Sequence, residues 1–140
     1  MTKDVEDVLS GLRSYSEKLG LNLRRKENRF KWFLASMLFA KRISAEIAKK
    51  TFRGFVRERL TTPDKLIEAG WDRIVDVLDS GGYVRYDFST ATNILDNMRF
   101  LVKEYEGDVD KIHKRAKDSK DLEKMLMEFK GFKVVYLEVW

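Results

Sequence analysis

The chain has 140 residues, 44% hydrophobic and 36% charged, which suits one folded domain and argues against a disordered chain. It contains no cysteine, which excludes disulfides, thiol catalysis, cysteine-bound zinc and iron–sulfur clusters, and its single histidine argues against a histidine-rich metal site. The net charge is +5, and residues 24–59 hold twelve Lys and Arg against three acids, which indicates either an anionic partner or a basic solvated helix face.

The first 20 residues predict an amphipathic helix that ends at Gly20. Acids stand where a signal peptide would have a basic flank and an apolar stretch. No apolar run approaches the roughly 18 residues that a membrane span needs. We therefore expect a cytoplasmic protein that does not associate with a membrane. The apolar residues at helical spacing are Val5, Val8, Leu9, Leu12, Tyr15 and Leu19.

Two helices are predicted in the basic region. The first has an apolar stripe, and Trp32 lies off this stripe, either exposed or packed against another element. Ser44 is the predicted N-cap of the second helix, in which Lys49, Arg53 and Arg57 at i, i+4 and i+8 predict a basic face. The inward residues are predicted to be Phe30, Phe33, Leu34, Met37 and Leu38 in the first helix, and Ile47, Thr51, Phe52 and Phe55 in the second.

The rest of the chain continues the helical pattern. Thr62 and Pro63 predict an N-cap followed by proline at the first helical position, and His113 is expected on a helix surface. We predict a single all-α domain over residues 1–140 with seven or eight helices. It comprises an N-terminal helix in 1–20, a bundle over 28–126 and a hairpin-like end over 127–140. The stripes are Trp71, Ile74, Val75, Leu78, then Ile94, Leu95, Met98, Leu101, Val102, Tyr105, then Leu122, Met125, Leu126, Phe129.

Three stretches, in this order, resemble the helix-hairpin-helix DNA glycosylases of the endonuclease III superfamily, and archaeal members in particular. They are residues 30–52, residues 66–95 and the closing MEFKGFKVVYLEVW of residues 127–140. The resemblance covers about residues 28–140. It implies the six-helix lobe of that family, which binds duplex DNA in base excision repair.

The closing stretch takes the place of the family's hairpin. A glycine turn before a helix lets backbone N–H groups approach a phosphate, and here Gly131 is flanked by Lys130 and Lys133. The alternative is a glycine C-cap between two helices. In relatives the hairpin loop often holds a monovalent cation that bridges to DNA, so the resemblance allows such a cation here. No other cofactor is predicted.

Two loops match regions with which the family probes DNA. Lys41 and Arg42 lie where relatives insert a polar side chain into the gap left by a flipped base; alternatively they form the basic last turn of a helix. Gly81 and Gly82 begin the loop that wedges into the opposite strand. There the resemblance implies that Tyr83 stacks on a base and that Arg85 reaches an orphaned base. The alternative is that the glycines end a helix and Tyr83 packs against neighbours.

The catalytic positions of the family are not matched. If Gly131 is the first hairpin glycine, Lys133 replaces the second, and Val135 stands where bifunctional members have the lysine that attacks the sugar. The family's essential aspartate would fall beyond the end of the sequence. We predict no glycosylase or lyase activity by this chain alone, while a relocated carboxylate at Asp87 or Asp96 stays open.

Two other interpretations stay open. In the first, the chain is a non-enzymatic interaction module that forms a homodimer or binds a partner chain. In the second, the chain is a fragment of a complete glycosylase. Both rest on an apolar end that no later helix covers in this sequence. That end consists of Val134, Val135, Leu137, Val139 and Trp140.

Overall fold

The computed structural model describes residues 21–22 and 24–131. In that part of the chain all regular secondary structure is helical, which confirms the all-α prediction. The predicted N-terminal helix and residues 132–140 lie outside the described residues. The helices are α1 (Lys26–Phe39), α2 (Ala45–Arg57), α3 (Pro63–Ser80), a short 3₁₀ turn (Val84–Tyr86), α4 (Asp87–Tyr105), α5 (Val109–Arg115) and α6 (Ser119–Leu126).

Helix α1 forms the centre of the core. It contacts α2, α4 and α5, and every residue from 32 to 40 is buried. Trp32 is 1% exposed, and its ring centroid lies 6.4 Å from that of Phe39. The stripe predicted for this helix is correct, but the opposite face is buried too. Trp32 therefore packs against other elements.

The two predicted N-caps are confirmed. The Ser44 hydroxyl accepts the Ile47 N–H at 3.2 Å, and the Thr62 hydroxyl accepts the Lys65 N–H at 3.2 Å. Pro63 then occupies the first helical position of α3. A side-chain oxygen at the N-cap satisfies a backbone donor that the helix itself cannot pair, so these residues fix where α2 and α3 begin.

Helices α3 and α4 pack together more extensively than any other described pair, and α3 is broken within its length. Gly70 has φ 85° and ψ 171°, a backbone conformation that is essentially restricted to glycine. The sequence predicted the helix start at Pro63 and, for the second segment, a short helix with Trp71 facing inward. Trp71 is in fact 36% exposed, whereas Ile74 and Leu78 are fully buried.

An aromatic cluster fixes the turn after α6 to the core. The Phe129 ring lies 5.1 Å from that of Phe33 and 5.0 Å from that of Phe100, both edge to face. Edge-to-face contacts add stability beyond the area that they bury. The turn that begins the predicted hairpin is thus held against α1 and α4.

Helix α5 was not among the predicted stripes, and a bidentate ion pair ties it to α1. The Arg29 guanidinium donates to both carboxylate oxygens of Asp110 at 2.7 Å, which lowers the pKa of Asp110. His113 lies on this helix, as expected, but it is half-buried. Burial lowers the pKa of His113.

Candidate nucleic-acid interface

Helices α2 and α3 form the walls of an open groove of about 560 Å³. Four cationic side chains line it, against the two acids Glu58 and Asp76. The groove ends at Ser80 and Gly81, where the loop after α3 begins. It therefore joins a basic helix surface to one of the loops that the sequence singled out. Its cations are Lys50, Arg53, Arg57 and Arg73.

The basic face of α2 is rotated relative to the prediction. Arg53 and Arg57 are exposed, as predicted, but Lys49 is only 8% exposed and pairs with Glu46 at 3.0 Å. Lys50 takes its place, since positions 50, 53 and 57 are spaced i, i+3, i+7 and lie on one side of a helix. Lys49 is thus wrong as a member of the exposed face.

Three cations of the groove have no ion pair with another described residue, namely Lys50, Arg53 and Arg57. The fourth, Arg73, lies 3.6 Å from Glu58, and both side chains are about half exposed. Sequence periodicity missed Lys50 because its neighbour Lys49 fits an i+4 pattern equally well. No sequence signal pointed to Arg73, whose position depends on how α3 packs on α2.

Gly81 is a packing residue in this structure. A Cβ at this position would lie 2.1 Å from Thr51 Oγ1 and 2.6 Å from Thr51 Cα, so α2 and the end of α3 approach here with no room for a side chain. Gly82 has φ 91° and is exposed. The alternative interpretation, in which the paired glycines end a helix, describes this geometry.

Tyr83 belongs to the core. It is 0% exposed, and its hydroxyl donates to the Leu38 carbonyl at 2.7 Å. A side chain in this position presents no ring face to a base, so the packing alternative applies to Tyr83. Arg85, two residues later, is exposed, as a contact with DNA requires.

The structure brings the two predicted loops together at Tyr86. Lys41 Nζ lies 5.7 Å from the centre of the Tyr86 ring, and the Arg85 guanidinium carbon lies 5.5 Å from it. Arg42 is exposed beside Lys41, outside the helix. Two cations near one half-buried ring form cation–π contacts and gather positive charge between the loops.

The turn at Lys130 and Gly131 is held by Asn97 of α4. Asn97 Oδ1 accepts the Lys130 N–H, and Asn97 Nδ2 donates to the Lys130 carbonyl, both at 2.8 Å. Gly131 has φ 84°, as a glycine turn requires. Because the Lys130 N–H is already paired, it does not face a phosphate in this arrangement. Lys133 lies outside the described residues.

Replacing Asn97 with Ala is expected to lower the free energy of unfolding by about 2 kcal/mol, because two backbone groups of Lys130 lose their partners. Urea unfolding followed by circular dichroism measures the change. Asn93→Ala, one turn earlier on α4, is the matched control and is expected to change stability by less than about 0.5 kcal/mol. Equal effects of both substitutions would contradict this role of Asn97.

The carboxylates considered as relocated catalytic groups already have partners. Asp96 Oδ2 accepts from Lys130 Nζ at 2.6 Å, and Asp87 Oδ1 accepts the Phe88 N–H at 2.7 Å. Desolvation and a hydrogen bond with Asp87 raise the pKa of Asp79. Asp87 and Asp79 thus form a carboxyl pair at the loop after α3. Neither Asp87 nor Asp96 lines the groove between α2 and α3.

Within residues 21–22 and 24–131, no group of three or more His, Asp or Glu side chains is arranged to hold a metal ion. None of the described helices combines the length and the apolarity needed to cross a membrane. The predicted monovalent cation at the hairpin and the apolar end at residues 134–140 concern residues outside the described part. Both stay predictions.

No protein-family model, no curated protein and no solved structure matches the chain. The resemblance to the helix-hairpin-helix glycosylases therefore stays a prediction that rests on the residues quoted for it.

Proposed function

We propose that the chain binds duplex DNA through the groove between α2 and α3, as a non-catalytic relative of the DNA-repair glycosylases that it resembles. The observation that carries this proposal is the row of exposed Lys50, Arg53 and Arg57 along one wall, without ion pairs to described acids. Cations held in a row on a helix match the regular spacing of phosphates and contact the backbone without reading sequence.

The loops at the end of the groove extend this surface. Lys41 and Arg85 supply two more cations near Tyr86, and Arg42 is exposed next to Lys41 in the chain. The groove ends at Gly81, at the beginning of the loop that contains Arg85. Lys130 contributes less, because Asp96 neutralises it at 2.6 Å. We therefore expect the Lys41 and Arg85 loops to contribute more to DNA binding than the turn at Gly131.

The proposal covers binding and leaves base excision out. By the resemblance, Val135 stands at the position of the nucleophilic lysine, and valine has no group that attacks a sugar. A cytoplasmic location with access to chromosomal DNA is part of the same proposal.

Titration of a labelled 20-base-pair duplex by fluorescence anisotropy, at increasing salt, tests the proposal. Three to six phosphate contacts predict that log K falls with log salt with a slope of about −3 to −5. An unrelated duplex of equal length is expected to bind with similar affinity, since backbone contacts carry no sequence information. Absent binding at low salt, or a slope near zero, would refute the proposal.

A further inference from the structure

Two aromatic side chains lie exposed side by side between α3 and α4. Trp71 is 36% exposed and Phe88 61%, and their ring centroids are 5.1 Å apart at 42°. Trp71 Nε1 donates to Thr92 Oγ1 at 3.1 Å, which fixes one edge of the indole. Val84, also 61% exposed, adds apolar surface one turn before Phe88. The hydrogen bond and the ring contact hold the two aromatic side chains together as one exposed apolar surface.

The break in α3 directly precedes this pair. A Cβ at Gly70 would meet no atom within 4 Å, so packing does not require glycine at this position. The backbone does require it, because other residues rarely adopt a φ of 85°. Glycine adopts this conformation readily, whereas another residue would be strained by it. The break ends the first segment of α3 and starts the second with Trp71 beside Phe88.

The size and charge of the patch indicate its occupant. The exposed parts of Trp71 and Phe88 amount to about 200 Å², since such side chains offer about 150–250 Å² each. A stable protein interface needs about 800 Å² per partner. A flat ring of one or two bases fits the smaller area, and every base has a face that stacks on an aromatic side chain. Arg85, exposed three residues before Phe88, supplies a cation for the strand that carries the base.

We propose that Trp71 and Phe88 form a stacking platform for an unpaired base, so that the preferred DNA combines a duplex with an unpaired stretch. This inference rests on the proposed binding of duplex DNA. Arg73 of α3 contacts Glu58 of α2 on the groove side, while Trp71 of the same helix contacts α4. Because a helix with its side chains is about 10–12 Å across, groove and platform are about one helix diameter apart. One DNA molecule spans that distance.

The experiment uses three labelled DNAs that share one 20-base-pair duplex. The first is blunt, the second carries a five-nucleotide dT overhang, and the third carries an overhang of five abasic tetrahydrofuran nucleotides. The second and third have equal numbers of phosphates, so their affinity ratio isolates the contribution of the bases. The wild type is expected to bind the dT overhang about tenfold more tightly than the abasic one.

Phe88→Ala is expected to reduce that ratio to near one, and Phe88→Tyr, which keeps a ring, to preserve it. Val102→Ala changes another exposed apolar residue of α4 and is expected to leave the ratio as in the wild type. Phe88 is mostly exposed, so its replacement leaves the core intact, and a thermal melt of each variant checks this.

The outcomes separate this inference from the function on which it rests. If the wild type binds the blunt duplex but has a dT-to-abasic affinity ratio near one, the platform is refuted and the groove proposal stands. Absent binding of all three DNAs overturns both. A ratio unchanged by Phe88→Ala, together with self-association that this substitution abolishes in light scattering, would assign the patch to a protein partner and refute the platform.

Discussion

The double substitution Arg53→Glu with Arg57→Glu is expected to weaken duplex binding at least about 100-fold at low salt. The two side chains are one helical turn apart, both are exposed, and both line the groove. Reversing these two charges removes two phosphate contacts and places two carboxylates against the DNA backbone. The binding free energy is therefore expected to weaken by about 3 kcal/mol or more. Anisotropy titration at 50 mM salt measures the loss, and the salt slope is expected to become shallower by about 2.

The matched control is Arg99→Glu with Lys103→Glu. These residues are also exposed and spaced i, i+4, but on α4 and outside the groove. Each double substitution changes the net charge by four, from +5 to +1. The control is expected to lose less than about fivefold, through long-range attraction alone. Equal losses in both double variants would show that overall charge, and not the groove, determines binding.

Gly81→Ala is expected to destabilise the fold by about 3 kcal/mol and to lower Tm by about 10 °C. The new methyl group would lie 2.6 Å from the Cα of Thr51, and a backbone atom cannot rotate away as a side chain can. Helices α2 and α3 would have to separate at the end of the groove. Thermal unfolding followed by circular dichroism measures the effect.

Gly54→Ala provides the comparison within the same helix pair. There a Cβ would lie 3.4 Å from Val77 Cγ1, an ordinary contact, and alanine favours a helix interior by about 1 kcal/mol over glycine. Stability is expected to stay the same or to rise slightly. If Gly81→Ala is equally harmless, the close approach to Thr51 is not a constraint on this fold.

The parts of the fold that the sequence predicted correctly depend on local chemistry. Ser44 and Thr62 cap their helices because a hydroxyl at that position pairs with a nearby N–H whatever the rest of the chain does. The apolar stripe of α1 is long and regular, and its residues are buried as predicted. Such signals come from residues within one or two turns of each other.

The errors concern how far each helix is covered by others. Trp32 lies off the predicted stripe of its helix and Trp71 lies on one, yet Trp32 is buried because α1 is surrounded, and Trp71 is exposed because α4 covers only part of α3. For the same reason Lys49, predicted on the exposed basic face, is buried, and Lys50 lies on that face instead. Periodicity gives the directions of side chains around an axis, but not how many neighbours that axis has.

The candidate site was predicted in part. Arg53, Arg57 and Arg85 are exposed cations, as expected, and Lys41 and Arg85 both lie near the Tyr86 ring although 44 residues separate them. Gly81 and Tyr83 serve packing, because Thr51 and Leu38 meet them from distant parts of the chain. Contacts of this kind depend on tertiary structure and leave no mark in the local sequence.

The burial of α1 on all sides also bears on how the protein is made. Residues 32–40 leave the ribosome as an apolar stretch with Ser36 as its one polar residue, whereas Phe129, which packs on Phe33, follows about 100 residues later. At about 5–20 residues per second, that interval lasts about 5–20 seconds. Its neighbours α2, α4 and α5 are synthesised one after another during this time, so the stretch is fully covered only once Phe129 has followed them. We therefore expect the nascent chain to bind chaperones that recognise apolar segments, and faster completion of α4 and α5 to shorten the exposure of this stretch.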